Sequence, residues 1–223
     1  MKNIIKELMP TSMCKRRCKG TLKRMRVLCI GNSITVHEKC RYWWDKRGMC
    51  ATMRENDYIH QLLDLLGSKM NIFIKAVNFS VWEVMANDRA EVMPLIRSHL
   101  TTGLDLVAIQ LGENVKDQTT FEDDFLELLE YIRKKAYKAK ILIIGNIWEN
   151  KELEEKKKMV AEKAGAIYIP LLELWATEYQ AGMGISVQGD DGCWQIVEHQ
   201  GVAKHPGDKA MRIIAERIKE SLY

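Results

Sequence analysis

The sequence predicts an α/β protein in three layers, with a five-stranded parallel sheet held between two sets of helices. Three observations carry this reading. From about residue 25 onward, short strand-like segments alternate with longer helix-like ones. The strand segments are nearly continuous apolar runs, the composition of strands covered on both faces. The intervening segments repeat apolar residues at helical spacing. With 223 residues, 47% hydrophobic and 29% charged, the chain has enough apolar material for one generous domain and none of the charge excess of a disordered segment.

In chain order, strands are expected at residues 27–30, 72–77, 104–110, 140–144 and 166–169. The first helix is marked by Ile59, Leu62, Leu63 and Leu66, and another by Phe121, Phe125, Leu128, Leu129 and Ile132, each set giving one apolar stripe to lay on a sheet. A last helix starts after His205-Pro206, because proline suits a first helical turn, and turns Met211, Ile214, Ala215 and Ile218 inward. Two connections, 35–52 and 178–204, exceed simple βα turns, and long loops in a compact domain tend to be functional. Ligands of open α/β sheets bind outside the carboxyl ends of the strands, so the loops there are where chemistry is to be sought.

The net charge of +4 is unevenly spread: residues 1–26 hold nine Lys/Arg against one acid, leaving the remainder mildly acidic. Residues 1–24 read as a basic, solvated arm, and 25–223 as the folded domain. The arm has no apolar core or cleavage site of a secretory leader, and no apolar run approaches the roughly 18 residues of a membrane span. A cytoplasmic protein is expected, with a homo-oligomer left open. An arm of this kind attracts anionic surfaces, but it does not by itself make nucleic acid the expected partner. The six cysteines read as reduced thiols. Cys29 lies in an apolar run as a small buried hydrophobe. Cys14 and Cys18, and the loose group His37, Cys40, Cys50 and His60, lack the repeated close pairs of a zinc site, so no metal is expected.

The first strand runs into Gly31-Asn32-Ser33-Ile34-Thr35, a turn that presents a serine hydroxyl with backbone N–H groups around it. A serine there is equally at home as a turn or cap residue. The ends of the following strands carry Asn78-Phe79-Ser80-Val81-Trp82-Glu83 and Gly112-Glu113-Asn114-Val115, and His205-Pro206-Gly207-Asp208 precedes the last helix. Taken in order, these blocks resemble those of the SGNH (GDSL-like) hydrolases over essentially all of residues 25–220.

That resemblance implies a flavodoxin-like SGNH hydrolase fold and a set of roles. Ser33 would be the nucleophile and His205 the general base. Asn114 would donate its side-chain amide to the oxyanion, and Ser33 its backbone N–H. The third donor, a glycine N–H in the family, falls on Glu83, whose carboxylate would then have to point away from the developing charge. The family's aspartate three residues before the histidine is Val202 here. Either a backbone carbonyl orients His205, or a carboxylate arrives from Asp190, Asp191 or Glu198. Asp208 is expected at the N–H groups of the last helix, and Val115 stands where the family has a second aspartate. Trp43 and Trp44, with Tyr42, would line a substrate pocket or pin their loop. Glu113 reads as a solvated loop residue able to meet substrate, and His199 lies near the same end.

The activity implied is hydrolysis of a small carboxylic ester through an acyl-serine, with no cofactor, and family analogy favours an acetyl or similar short acyl group on a carbohydrate. The alternative is a non-catalytic small-molecule or carbohydrate binding module on a degenerate SGNH fold. With an ordinary histidine as base, activity would fall on the acid side between about pH 8 and 5.

Overall fold

The computed structural model describes residues 10–17, 23–67, 70–86 and 88–223. Its main sheet has six strands: β1 (Thr11–Arg16), β2 (Arg24–Gly31), β3 (Asn71–Asn78), β4 (Leu106–Gln110), β5 (Lys140–Ile144) and β6 (Ile167–Ile169). The spatial order is β1-β3-β2-β4-β5-β6, parallel throughout except for β1, which runs antiparallel to β3 at one edge. The helices are α1 (Tyr58–Gly67), α2 (Ser80–Val84), α3 (Arg89–Val92), α4 (Phe121–Arg133), α5 (Lys151–Ala164), α6 (Gln200–Ala203) and α7 (Asp208–Glu220). Among the described residues no helix is long and apolar enough to cross a membrane.

The five parallel strands lie where the apolar runs placed them, and the period-two alternation of a strand explains why those runs are uninterrupted. Val27, Cys29, Ile74, Ala76 and Ala108 face one side, where α1 and α7 cover them with Leu62, Leu66, Met211 and Ile214. Leu28, Ile30, Val107, Ile109 and Ile143 face the other, against Phe121, Phe125 and Leu128 of α4 and Leu153 and Val160 of α5. Both faces are buried, so both sets of side chains are apolar.

The region read as a solvated arm is in part a strand. Residues 11–16 pair with β3 from Thr11↔Val77 to Arg16↔Ile72, so the sheet begins ahead of residue 25. Only Cys14 of this strand is buried, at 8% exposure, while Lys15 and Arg16 face solvent. A lysine-bearing edge strand of this kind resists pairing with other chains, and it has no apolar alternation to reveal it in sequence. Residues 1–9 and 18–22, Cys18 among them, lie outside the described residues.

The two long connections pack on each other. Loop 35–52 and the segment from 178 to 204, which contains α6 and a hairpin of β7 (Ser186–Gln188) and β8 (Trp194–Ile196), share an apolar cluster of Trp43, Met49, Cys50, Val187, Val197 and Val202. Arg47 and Asp45 form a buried ion pair beneath it, joined by Arg54. Arg47 also donates to the carbonyls of Ala51 and Gln188, tying the two loops together.

Candidate active site

Ser33 sits on the turn that leaves β2 at the carboxyl end of the sheet. The turn is closed by Thr35 N–H and Val36 N–H donating to the Asn32 carbonyl at 3.0 and 3.1 Å, and by Ile34 N–H donating to Asn32 Oδ1 at 3.0 Å. Glycine is required at position 31 because a Cβ there would lie 1.9 Å from Thr35 Oγ1 and 2.9 Å from the Gln110 carbonyl. His205 comes from the other end of the chain, between α6 and α7. Its Nε2 lies 2.7 Å from Ser33 Oγ.

The Nδ1 atom of His205 meets two backbone carbonyls, Gly201 at 3.0 Å and Val202 at 3.1 Å. A carbonyl only accepts, so Nδ1 carries the hydrogen and Nε2 is left as the acceptor for the serine hydroxyl. Of the two ways to orient the histidine, the structure has the carbonyl one. Asp190 is paired with Lys39, Asp191 accepts from Cys193 N–H, and the Nδ1 partners of His205 are the Gly201 and Val202 carbonyls, with no hydrogen bond to Glu198. Val202 cannot serve through its side chain, which is buried in the loop cluster while its carbonyl faces the imidazole. Asp208 is also placed otherwise than expected: it accepts from Thr52 N–H and Asn56 Nδ2, both at 2.8 Å, and from the Thr52 hydroxyl, anchoring the 52–56 segment.

Burial dominates the electrostatics of His205, which is 7% exposed. Loss of hydration penalises the imidazolium and pulls the pKa down to about 4; the two carbonyls oppose this, and His37 and His199 add to it. Trp148, which the sequence reading missed, stands edge-on to the His205 ring at 5.6 Å and donates its indole N–H to the Lys204 carbonyl at 2.9 Å.

The Glu83 carboxylate does not point away from the groups expected to be oxyanion donors. It is buried at 1% exposure and accepts from Asn114 Nδ2 at 2.6 Å, Gly112 N–H at 2.6 Å, Asn32 Nδ2 at 3.2 Å and Asn114 N–H at 3.3 Å. It turns inward because these amides surround α2 and water does not reach it. Its pKa is raised, first by burial and then by the neighbouring Glu113, against the hydrogen bonds from the Asn114 side chain, Gly112 N–H and the Asn32 side chain that favour its charged form. One of the two Asn114 amide hydrogens is thereby committed, and the other is left over.

Glu113 is a structural acceptor rather than a solvated loop residue, taking Asn32 Nδ2 at 2.8 Å and Ile147 N–H at 3.1 Å. Behind it, fully buried Lys157 donates to the Ile144 carbonyl at 3.0 Å and to Asn146 Oδ1 at 2.5 Å, and burial pulls its pKa down. Gly112, with φ of 141°, lies against this lysine, and a Cβ there would come within 2.9 Å of Nζ. The spacing of Asn32, Glu83 and Glu113 in sequence held no sign that they share a hydrogen-bonded centre. Trp43 is fully buried under the Arg47 guanidinium, 5.1 Å from its ring centroid, and so does not line a pocket; Trp44 remains partly exposed. His199 caps α6 and stacks on Tyr42 at 4.3 Å.

Among the described residues, no group of three or more His, Cys, Asp or Glu is placed to hold a metal ion. A cleft of about 770 Å³ lies at the amino ends of the strands, among Met13, Lys15, Arg24, Arg26 and Phe73, on the side of the sheet away from Ser33.

Comparison with protein-family profiles and with curated proteins finds no match. Solved structures do match. An extracellular lipase from Streptomyces rimosus aligns at a TM-score of 0.56 and 12% identity, over 88% of this chain and 99% of that one. A catalytic mutant of an acetylxylan esterase from Geobacillus stearothermophilus aligns at 0.56 and 13%, over 89% and 94%. A family two carbohydrate esterase from Cellvibrio japonicus aligns at 0.53 and 13%, over 89% of this chain and 60% of that one. The chain therefore has the flavodoxin-like α/β/α fold of the SGNH hydrolases.

Proposed function

We propose that this protein is an SGNH-type serine hydrolase of small carboxylic esters, with Ser33 as nucleophile and His205 as general base. The observation that carries the proposal is the 2.7 Å contact between Ser33 Oγ and His205 Nε2, within the range a nucleophile and its base require. Neutral His205 takes the hydroxyl proton as Ser33 attacks the ester carbonyl, and the carbonyl oxygen becomes an oxyanion. The free hydrogen of the Asn114 amide and the backbone N–H groups of Ser33 and Glu83 are its donors. The imidazolium then protonates the leaving alcohol, an acyl-serine remains, and water activated by the same histidine releases the acid. None of these steps calls for a metal or an organic cofactor.

An acetyl or other short acyl ester of a carbohydrate is the substrate class we favour, by analogy with the acetylxylan and carbohydrate esterases of the same fold. The second reading is a binding module without turnover. The Glu83 carboxyl group among the proposed oxyanion donors favours it, because it already takes one Asn114 amide hydrogen and, when ionised, opposes a developing negative charge.

The two are separated by hydrolysis of a chromogenic acetyl ester and by intact-mass detection of a serine-reactive phosphonate adduct, on the wild type and Ser33→Ala. The esterase reading requires turnover and labelling in the wild type, and loss of labelling with a rate loss of about 10³ or more in the variant. A wild type that is neither labelled nor active leaves the binding module as the better account.

A further inference from the structure

A second nucleophile–imidazole–acid line stands apart from Ser33 and His205. Cys14, on edge strand β1, places its Sγ 3.1 Å from Nε2 of His60 on α1. Nδ1 of the same ring lies 2.8 Å from Asp57 Oδ1. Asp57 caps α1, accepting His60 N–H at 2.7 Å with that same oxygen, and its other oxygen faces Gly48 N–H at 3.4 Å. The helix start thus fixes the carboxylate, the carboxylate fixes the ring, and the ring presents one nitrogen to the thiol. This line has the carboxylate that His205 lacks.

The surroundings favour a protonated imidazole beside the thiol. Asp57 is buried and the His60 side chain is 19% exposed. Burial opposes a charged imidazole, but the bonds to Asp57 and Cys14 outweigh it and hold the His60 pKa up at about 10. Arg54, itself bound to Asp45, adds positive charge within reach of both Cys14 and Asp57. The other buried thiols differ. Burial drives Cys29 far above the ordinary thiol range and pushes Cys50 up to about 12, and the Cys50 thiol donates to the Val202 carbonyl at 2.9 Å.

We propose that Cys14 is a peroxide-reactive thiolate, activated by His60 and Asp57, and is a modification site distinct from the hydrolytic centre. In the reaction the Cys14 sulfur, with its proton held on His60 Nε2, attacks one oxygen of hydrogen peroxide, forming the S–O bond as the O–O bond breaks. The departing hydroxide takes the Nε2 proton of His60 and leaves as water. The sulfur is oxidised by two electrons to a sulfenic acid, the peroxide is reduced, and His60 ends neutral.

The test uses the full chain, treated with hydrogen peroxide in the presence of dimedone at pH 7, with adducts quantified peptide by peptide. Exposed Cys193 serves as the reference within the same molecule. An ordinary thiol is only about 3% ionised at pH 7. An imidazole 3.1 Å from Sγ, itself held by a carboxylate, predicts labelling of Cys14 about 10-fold faster than Cys193 despite its burial. His60→Gln should bring Cys14 down to the Cys193 rate or below, and Asp57→Asn, which keeps an acceptor at the helix cap, should slow it several-fold with the circular dichroism spectrum unchanged. Wild-type Cys14 labelling no faster than Cys193 overturns the proposal. So does a folded His60→Gln or Asp57→Asn protein that labels like the wild type.

Discussion

Acidification is the perturbation that most directly reads how His205 is held. An ordinary histidine of pKa about 6.5 is only about 3% neutral at pH 5. With the pKa at about 4, as burial and carbonyl-only support imply, about 90% remains neutral at that pH. The two cases differ about 30-fold in the fraction of competent base. The assay is kcat/KM for a chromogenic acetyl ester between pH 3.5 and 8, corrected for spontaneous hydrolysis, since this parameter reports the free enzyme. A rate nearly flat from pH 8 to 5, with its acid limb centred near pH 4, is expected. This corrects the expectation drawn from an ordinary histidine, in which a flat profile across that range would have counted against His205. An acid limb near pH 6.5 would refute the reasoning, because it would require a charge partner for the imidazole beyond the carbonyls of Gly201 and Val202. The same depression bears on stability. Between pH 6.5 and 4 the unfolded chain binds a proton at this site that the folded one does not. Folding free energy therefore declines as pH falls through that window, by roughly 3 kcal/mol over the whole of it, and the site contributes no further change below it.

Three more outcomes are expected. In Glu83→Gln, the amide nitrogen that replaces Oε2 cannot accept from Asn114 Nδ2, so the Asn114 amide turns over and presents its oxygen to the proposed oxyanion site. Its kcat should fall about 10²-fold with KM nearly unchanged, and a wild-type kcat would show that the carboxylate does not orient Asn114. Val202→Asp, which introduces the aspartate spacing of the SGNH hydrolases, should lower the thermal midpoint without raising activity, because the new carboxylate enters the apolar loop cluster and not the Nδ1 side of His205; a gain in rate would contradict this. Asp45→Ala strands the buried Arg47 guanidinium, and denaturant unfolding should report a loss of about 3 to 5 kcal/mol, against less than 1 kcal/mol if the pair were of surface character.

The parallel strands and the stripes of α1, α4 and α7 were legible because each follows from a local period: side chains alternate on a strand and recur every three or four residues on a helix. Edge strand β1 was not, since one face of it meets solvent and only Cys14 is buried. The serine turn and the histidine before Pro206 were legible as motifs. Their meeting at 2.7 Å depends on bringing together positions 172 residues apart, which only the folded sheet does.

What the sequence by itself determined was the layering of the chain, the turn carrying Ser33, and the absence of an aspartate three residues before His205. Tertiary structure alone decided what takes that aspartate's place and where the Glu83 carboxylate goes. Both choices arise because burial leaves a polar atom no water to bond. His205 Nδ1 is satisfied by the carbonyls its own approach from α6 supplies, and Glu83 by amides gathered from Asn32, Gly112 and Asn114. Such partners are set by proximity across strands, and no spacing along the chain encodes them.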